Sequence, residues 1–130
     1  MQLTKNGGFA AFESHDGRFV YYAKGLTARG LWRVSVNGGD EAPVLDFPEI
    51  GYWGYWVVAE KGIYFVNTDA RPYALDFFDF ATGRVSHVVN LAKAPFGWDS
   101  GLALAPDERA VLYLQEDQVS SDIVLAENFQ

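Results

Sequence analysis

Arg29 and Arg71 stand in two loop-like stretches, GlyLeuThrAlaArgGly at 25–30 and AsnThrAspAlaArgProTyr at 67–73, of a chain with 10 basic and 17 acidic residues. A guanidinium is a flat fork of N–H donors that matches a carboxylate, so these scarce cations suit an anionic ligand group or a partner's acidic side chain. Asp69 beside Arg71, and Asp99 in AlaProPheGlyTrpAsp at 94–99, carry the opposite charge, while Trp53 and Trp98 add flat apolar surface next to them. A structural reading competes with this one. The arginines would then pair with Asp69, Asp99 or Asp117 between neighbouring units, and Trp53, Trp56 and Trp98 would pack in the core. Trp32 alternates with Arg33 and keeps Val34 for company, the pattern of a core residue in a strand.

Catalytic chemistry has little to work with. The chain has two histidines, His15 and His87, and no cysteine, which removes thiolate nucleophiles, disulfides and cysteine-type zinc sites. HExxH, GxSxG and a glycine-rich phosphate loop are all absent from the sequence, and AspAlaArgProTyrAlaLeuAsp at 69–76 lacks the oxygen spacing of a calcium loop. The expectation is therefore no catalytic residue, no cofactor, no metal site and no enzymatic activity. A hydrolase reading, such as a glycosidase, would require two of the carboxylates to flank a cleft with arginines behind them.

A formal charge of −7 and a composition 49% hydrophobic fit one acidic domain with a sizeable core. Its field repels phosphate backbones and anionic lipid, so neither direct nucleic-acid binding nor membrane binding is expected. The opening MQLTKNGG has no apolar signal stretch, and no run reaches transmembrane length. Localisation stays open: cytoplasmic for a complete chain, periplasmic for one that has lost a signal segment.

The elements that must position these residues are strands. Thirteen Gly and 21 aromatics favour short strands and tight turns, and the one stretch open to a helix, Val89 to Ala94, is curtailed by Pro95. SHDGRFVYY at 14–22 recurs 91 positions later as APDERAVLY at 105–113, which sets Asp16 on Asp107, Arg18 on Arg109, Val20 on Val111 and Tyr22 on Tyr113. Between them, GIYFV at 62–66 repeats the FVYY run, and LDFFDFATG at 75–83 repeats LWRVSVNGG at 31–39 at an offset of 44.

Units of this length suit four-stranded propeller blades. The first unit predicts strands A to D at Phe9 to Glu13, Phe19 to Lys24, Gly30 to Val36 and Pro43 to Asp46. The second predicts Tyr55 to Ala59, Gly62 to Asn67, Tyr73 to Phe80 and Val85 to Asn90. The third predicts Leu102 to Ala105, Ala110 to Gln115 and Ser121 to Ala126, and stops before a strand D. HisAspGly, GluLysGly, AsnGlyGly and AlaThrGly each offer a glycine for positive φ in the tight turns, whereas ProAspGluArg at 106–109 offers none. Asp16 and Asp107 are expected to accept backbone N–H bonds within their turns.

ESHDGRFVYY at 13–22 and LAPDERAVLY at 104–113 resemble the Ser-Pro-Asp-Gly-Arg signature of the WD40-like, TolB-type β-propeller repeat family, found in the Tol-system translocation protein and in C-terminal parts of bacterial winged-helix regulators. The middle unit carries a worn form, VAEKGIYFV at 58–66, and SSDIVLAENF at 120–129 is similar to a closing blade of the regulator branch. His15 departs from the usual Pro and Glu108 from the usual Gly, which puts turn geometry in question. The resemblance implies an all-β propeller that binds or scaffolds and does not catalyse.

Three blades, at about residues 7–46, 52–93 and 96–130, make half of a six-bladed ring. Left alone they would expose a sheet edge and two apolar faces, so a homodimer is expected, with residues 1–5 donated as the closing edge strand of the third blade. A truncated piece of a longer chain is the other way to close the ring. The longer loops, including ProGluIleGlyTyrTrp at 48–53 and GluAspGlnValSerSer at 116–121, would gather on one face with Arg29, Trp53, Asp69, Arg71, Trp98 and Asp99. That face would serve a binding or assembly module for a protein or small polar ligand. Two alternatives remain: a sensory or structural piece of a longer transcriptional regulator, and the hydrolase.

Overall fold

A computed structural model describes residues 8–25, 29–44, 47, 48, 55–91, 102–117 and 120–127. Every regular element among them is a strand, and the strands form three separate antiparallel sheets, each in simple sequence order. Sheet one holds β1 (Phe9–Glu13), β2 (Phe19–Ala23), β3 (Trp32–Ser35) and β4 (Ala42–Pro43). Sheet two holds β5 (Trp56–Val58), β6 (Gly62–Asn67), β7 (Ala74–Asp79) and β8 (Val85–Asn90). Sheet three holds β9 (Leu102–Leu104), β10 (Ala110–Asp117) and β11 (Ser120–Glu127).

Alternation along the strands decides how the sheets stack. Ile63 and Phe65 leave β6 toward sheet one and join Tyr21, Ala23, Leu31, Trp56 and Phe78 in one core cluster. Tyr64 and Val66 leave the other side and join Val57, Leu75, Leu102, Val111 and Tyr113 in a second. Strands β5 to β7 of sheet two are therefore buried on both faces, while β8 stays largely exposed. Sheets one and three each spend one face on it, and Trp56 is core, as its alternation with Val58 implies.

The repeat at an offset of 91 is a repeat of hydrogen bonds. In the first A–B turn Ser14 O accepts from Gly17 N at 2.9 Å and Asp16 Oδ1 from Arg18 N at 3.0 Å. In the third, Ala105 O accepts from Glu108 N at 2.8 Å and Asp107 Oδ1 from Arg109 N at 3.0 Å. Glu108 takes a φ of 59°, against 71° at Gly17, so the turn survives the loss of its glycine. The middle turn differs. Ala59 N bonds Gly62 O, and Gly62, read from sequence as a positive-φ residue, lies in β6 with no positive φ. What requires a glycine there is the neighbouring strand: a Cβ would stand 2.0 Å from the Phe78 carbonyl oxygen.

Strand limits shift where pairing partners end. β4 pairs only through Trp32↔Pro43 and Arg33↔Ala42, and begins one residue earlier than expected. β10 and β11 pair out to Asp117↔Ser120, so GluAspGlnValSerSer is mostly hairpin strand and not a long loop. Val89 and Asn90, open to a helix by sequence, belong to β8 because they pair with Leu75 and Ala74. The proposed closing strand at 1–5 lies outside the described residues.

The outward faces of the end sheets differ. On sheet one, Val20 opposes Val34 and Tyr22 opposes Trp32; Lys24 lies over the Tyr22 and Trp32 rings at 5.4 and 4.6 Å and pairs with Glu41. Burial first, and then the Glu41 charge, push the Tyr22 hydroxyl up to about 12. On sheet three, Ile123 pairs with Leu114, two residues along from Leu112, so Leu112 and Ile123 leave the same face. They are 36% and 73% exposed.

Candidate functional site

The loop at 67–73 is built on a buried carboxylate. Asp76 interrupts the apolar β7 on the side of Phe65 and is only 6% exposed. Its Oδ2 accepts from Asn67 Nδ2 at 3.1 Å, and its Oδ1 lies 3.2 Å from His87 Nδ1, the position of an Nδ1–H donor. Asn67 Oδ1 in turn accepts the N–H groups of Asp69 and Ala70 at 3.0 and 3.2 Å. One amide thus ties the loop's first turn to the sheet below it.

Arg71 is held within that loop. Its Nη1 donates to the carbonyls of Thr68 at 2.7 Å and Ala70 at 2.8 Å, and its guanidinium lies 4.7 Å above the Tyr73 ring. Neither Nε nor Nη2 has a partner among the described residues, so one edge of a fixed fork stays open. Arg29 reaches across from sheet one and pairs with Asp69 at 3.5 Å, with the two side chains 48% and 78% exposed. An exposed pair of this kind is worth about 0–1 kcal/mol and yields readily to a competing anion.

Arg29, Asp69 and Arg71 therefore meet at one place between sheets one and two, whereas Trp53, Trp98 and Asp99 lie outside the described residues. Sequence reasoning missed the Asp76, Asn67 and His87 support. Its one visible signal was an acid inside the otherwise apolar ALDFF at 74–78.

The opposite face carries the tight turns. A cleft of about 820 Å³ opens between sheets one and two, over Tyr21, Phe78 and Phe80, and a smaller one of about 430 Å³ between sheets two and three. Glu108 Oε1 accepts from Glu60 N at 2.8 Å and so bridges the turns beside the smaller cleft. Among the described residues no three His, Asp or Glu side chains gather as a metal site would need.

Repeated antiparallel meanders stacked face to face through two apolar seams define a β-propeller-type fold. TolB from Acinetobacter baumannii is similar to it with a TM-score of 0.65 and 12% sequence identity, over 96% of this chain and 31% of that one. The likeness is one of fold, and the chain spans less than a third of the TolB length. No family model and no curated protein matches the sequence.

Proposed function

We propose that the chain is a noncatalytic binding and assembly module: three blades that join a second copy to close a six-bladed ring and present the Arg29, Asp69 and Arg71 face to a protein or small polar ligand. The observation that carries this reading is the apolar outer face of sheet three, with Ile123 73% exposed. A two-chain ring would seat that face against the partner's first sheet, where Val20 and Trp32 are half-buried and Tyr22 and Val34 are already buried within the chain, and the same contact would occur twice. The likeness to TolB supports the propeller fold on which this reading rests.

On this reading the ligand or partner group is anionic, taken by the open edge of Arg71 while Arg29 exchanges Asp69 for it. Sedimentation equilibrium at micromolar concentration tests the assembly. Twice the 14.5 kDa chain mass is expected, and a folded monomer at every concentration would defeat it.

A further inference from the structure

The larger cleft is lined by side chains that the proposed face does not use. Phe19, Tyr21 and Arg33 leave sheet one on the side of sheet two, Phe78 and Phe80 face them, and the turns at 14–16 and 81–83 form the rim. Tyr21 and Phe80 stack at 5.4 Å with 17° between their planes, and Phe78 meets Phe80 edge-on at 6.2 Å. Tyr21 and Phe78 are buried, so the apolar floor is packed and fixed. A volume of about 820 Å³ lies within the range of small-molecule sites.

Among the described residues Arg33 is the one arginine or lysine that lines this cleft, with the acids Asp16 and Glu60 on its rim. The Arg33 guanidinium lies 4.6 Å from the Phe19 ring centre, and no carboxylate among the described residues pairs with it. Arg18 approaches the same ring at 5.6 Å. None of the acids around it takes Arg33 as a partner: Asp16 accepts from the Ser14 hydroxyl and the Arg18 N–H, Asp79 from the N–H groups of Ala81 and Thr82, Glu41 pairs with Lys24, and Glu60 stands on the rim beyond Ala59. In a chain of net charge −7, an arginine left over an aromatic cleft has its donor fork free for a ligand.

We infer that this cleft binds an aromatic carboxylate, its ring against Tyr21 and Phe80 and its carboxylate on Arg33. A bare phosphate would leave the apolar walls unused, and an uncharged ring would leave the guanidinium fork unused. The site lies within one chain, so it does not depend on ring closure. The chemistry is common to a free aromatic acid and to the C-terminal phenylalanine of a peptide.

The test titrates the full chain with 2-naphthoate, followed by calorimetry and by backbone amide shifts. Saturable binding below about 1 mM is expected, weakened about tenfold or more by Arg33→Gln and by replacing the acid with 2-naphthalenemethanol. Shifts should centre on Phe19, Tyr21 and Thr82, and Arg109→Ala, at an exposed turn residue of sheet three that lines neither cleft, should leave the affinity unchanged. N-acetyl-Gly-Gly-Phe as its free acid and as its amide separates the sources: acid-dependent binding as tight as that of naphthoate assigns a chain terminus, and binding of naphthoate alone assigns a small molecule. Absence of binding, binding indifferent to Arg33→Gln, or shifts centred on 67–73 would overturn the inference. Because Arg33 is exposed, melting of Arg33→Gln near the parent temperature is expected; an Arg33→Lys variant, which keeps the charge without the fork, should bind with intermediate strength.

Discussion

Glu108 holds sheet three to sheet two: its carboxylate accepts the Glu60 main-chain N–H at 2.8 Å while its own backbone sits at a φ of 59°. The residue that replaces the signature glycine is strained locally and bonded across the seam. A left-handed non-glycine costs about 1–2 kcal/mol, and a hydrogen bond to a charged group returns about 1.5–3 kcal/mol. Glu108→Gly should therefore change stability little, since strain and bond are lost together. Glu108→Ala keeps the strain and loses the bond, so it should cost about 1–2 kcal/mol in urea unfolding at fixed protein concentration. No loss in Glu108→Ala would show that the bond across the seam contributes nothing, and equal losses in both variants would show that the left-handed backbone at 108 costs nothing.

Asp16 gives the first turn a pH dependence. The Ser14 hydroxyl, and after it the Arg18 N–H, hold its carboxyl below the ordinary 3.8. A folded value below the unfolded one means that the unfolded chain takes up the proton first. The turn's contribution is then complete above the ordinary carboxylate range and is lost as pH falls through the depressed value. Melting temperatures of the parent and Asp16→Asn, compared from neutral pH downward, should converge at the acid end. A constant gap would place the Asn effect in packing and not in ionisation.

Gly62 tests close approach separately from backbone conformation. An added methyl would meet the Phe78 carbonyl oxygen at 2.0 Å and the Phe77 ring at 2.5 Å. The ring can turn; the carbonyl belongs to the paired strand and cannot. Gly62→Ala should cost about 3 kcal/mol, at the upper end of overpacking penalties. At Gly30 a Cβ would meet nothing within 4 Å, and φ is 80°, so Gly30→Ala should cost only the left-handed penalty of about 1–2 kcal/mol. A Gly62→Ala loss no greater than that of Gly30→Ala would refute the crowding account.

These cases mark what a sequence discloses. The offset of 91 placed Asp16, Asp107 and their turns correctly, because a turn's hydrogen bonds lie within a few residues of one another. Gly62 to Asn67 and Val85 to Asn90 were legible to the residue, each bounded by a glycine, a charge or a loss of apolar character. The Glu108 to Glu60 bond joins positions 48 apart, and no local period reports it. Asp76 showed only as an acid in an apolar strand; its use depends on register, which sets it beside His87 across a bulge in the β7 and β8 ladder. Arg33 read as the polar side of a strand, and only the approach of sheet two turns that side into a cleft.

Asp76 also couples the core to the loop-rich face. Removing it leaves the Asn67 amide and the His87 ring without their acceptor and opens space beside the buried Phe65, for an expected loss of about 2–3 kcal/mol as Asp76→Ala. Asn67→Ala keeps the carboxylate with His87 but frees the N–H groups of Asp69 and Ala70, so its cost should be nearer about 1 kcal/mol. Hydrogen exchange should separate the two: Asn67→Ala raises exchange at 69 and 70 while β6 and β7 stay protected, and Asp76→Ala raises both. Protection at 69 and 70 unchanged by Asn67→Ala would mean that the loop is held by something else.

Ile123 decides whether sheet three is an edge of the protein or a seam between two copies. A side chain 73% exposed contributes little to the folding of one chain, so Ile123→Glu should leave a lone monomer within about 0.5 kcal/mol of the parent. Buried in a dimer seam, the same carboxylate would be desolvated twice per ring, because the contact repeats, and dissociation should rise by about a hundredfold or more. Leu112→Glu, on the same face, should act alike. Val85→Glu, at a side chain 42% exposed on the β8 strand of sheet two, should leave the sedimentation mass unchanged and serves as the control for added charge. Loss of dimer in all three variants would trace the effect to net charge, whereas loss in Ile123→Glu and Leu112→Glu alone would place the second copy against sheet three.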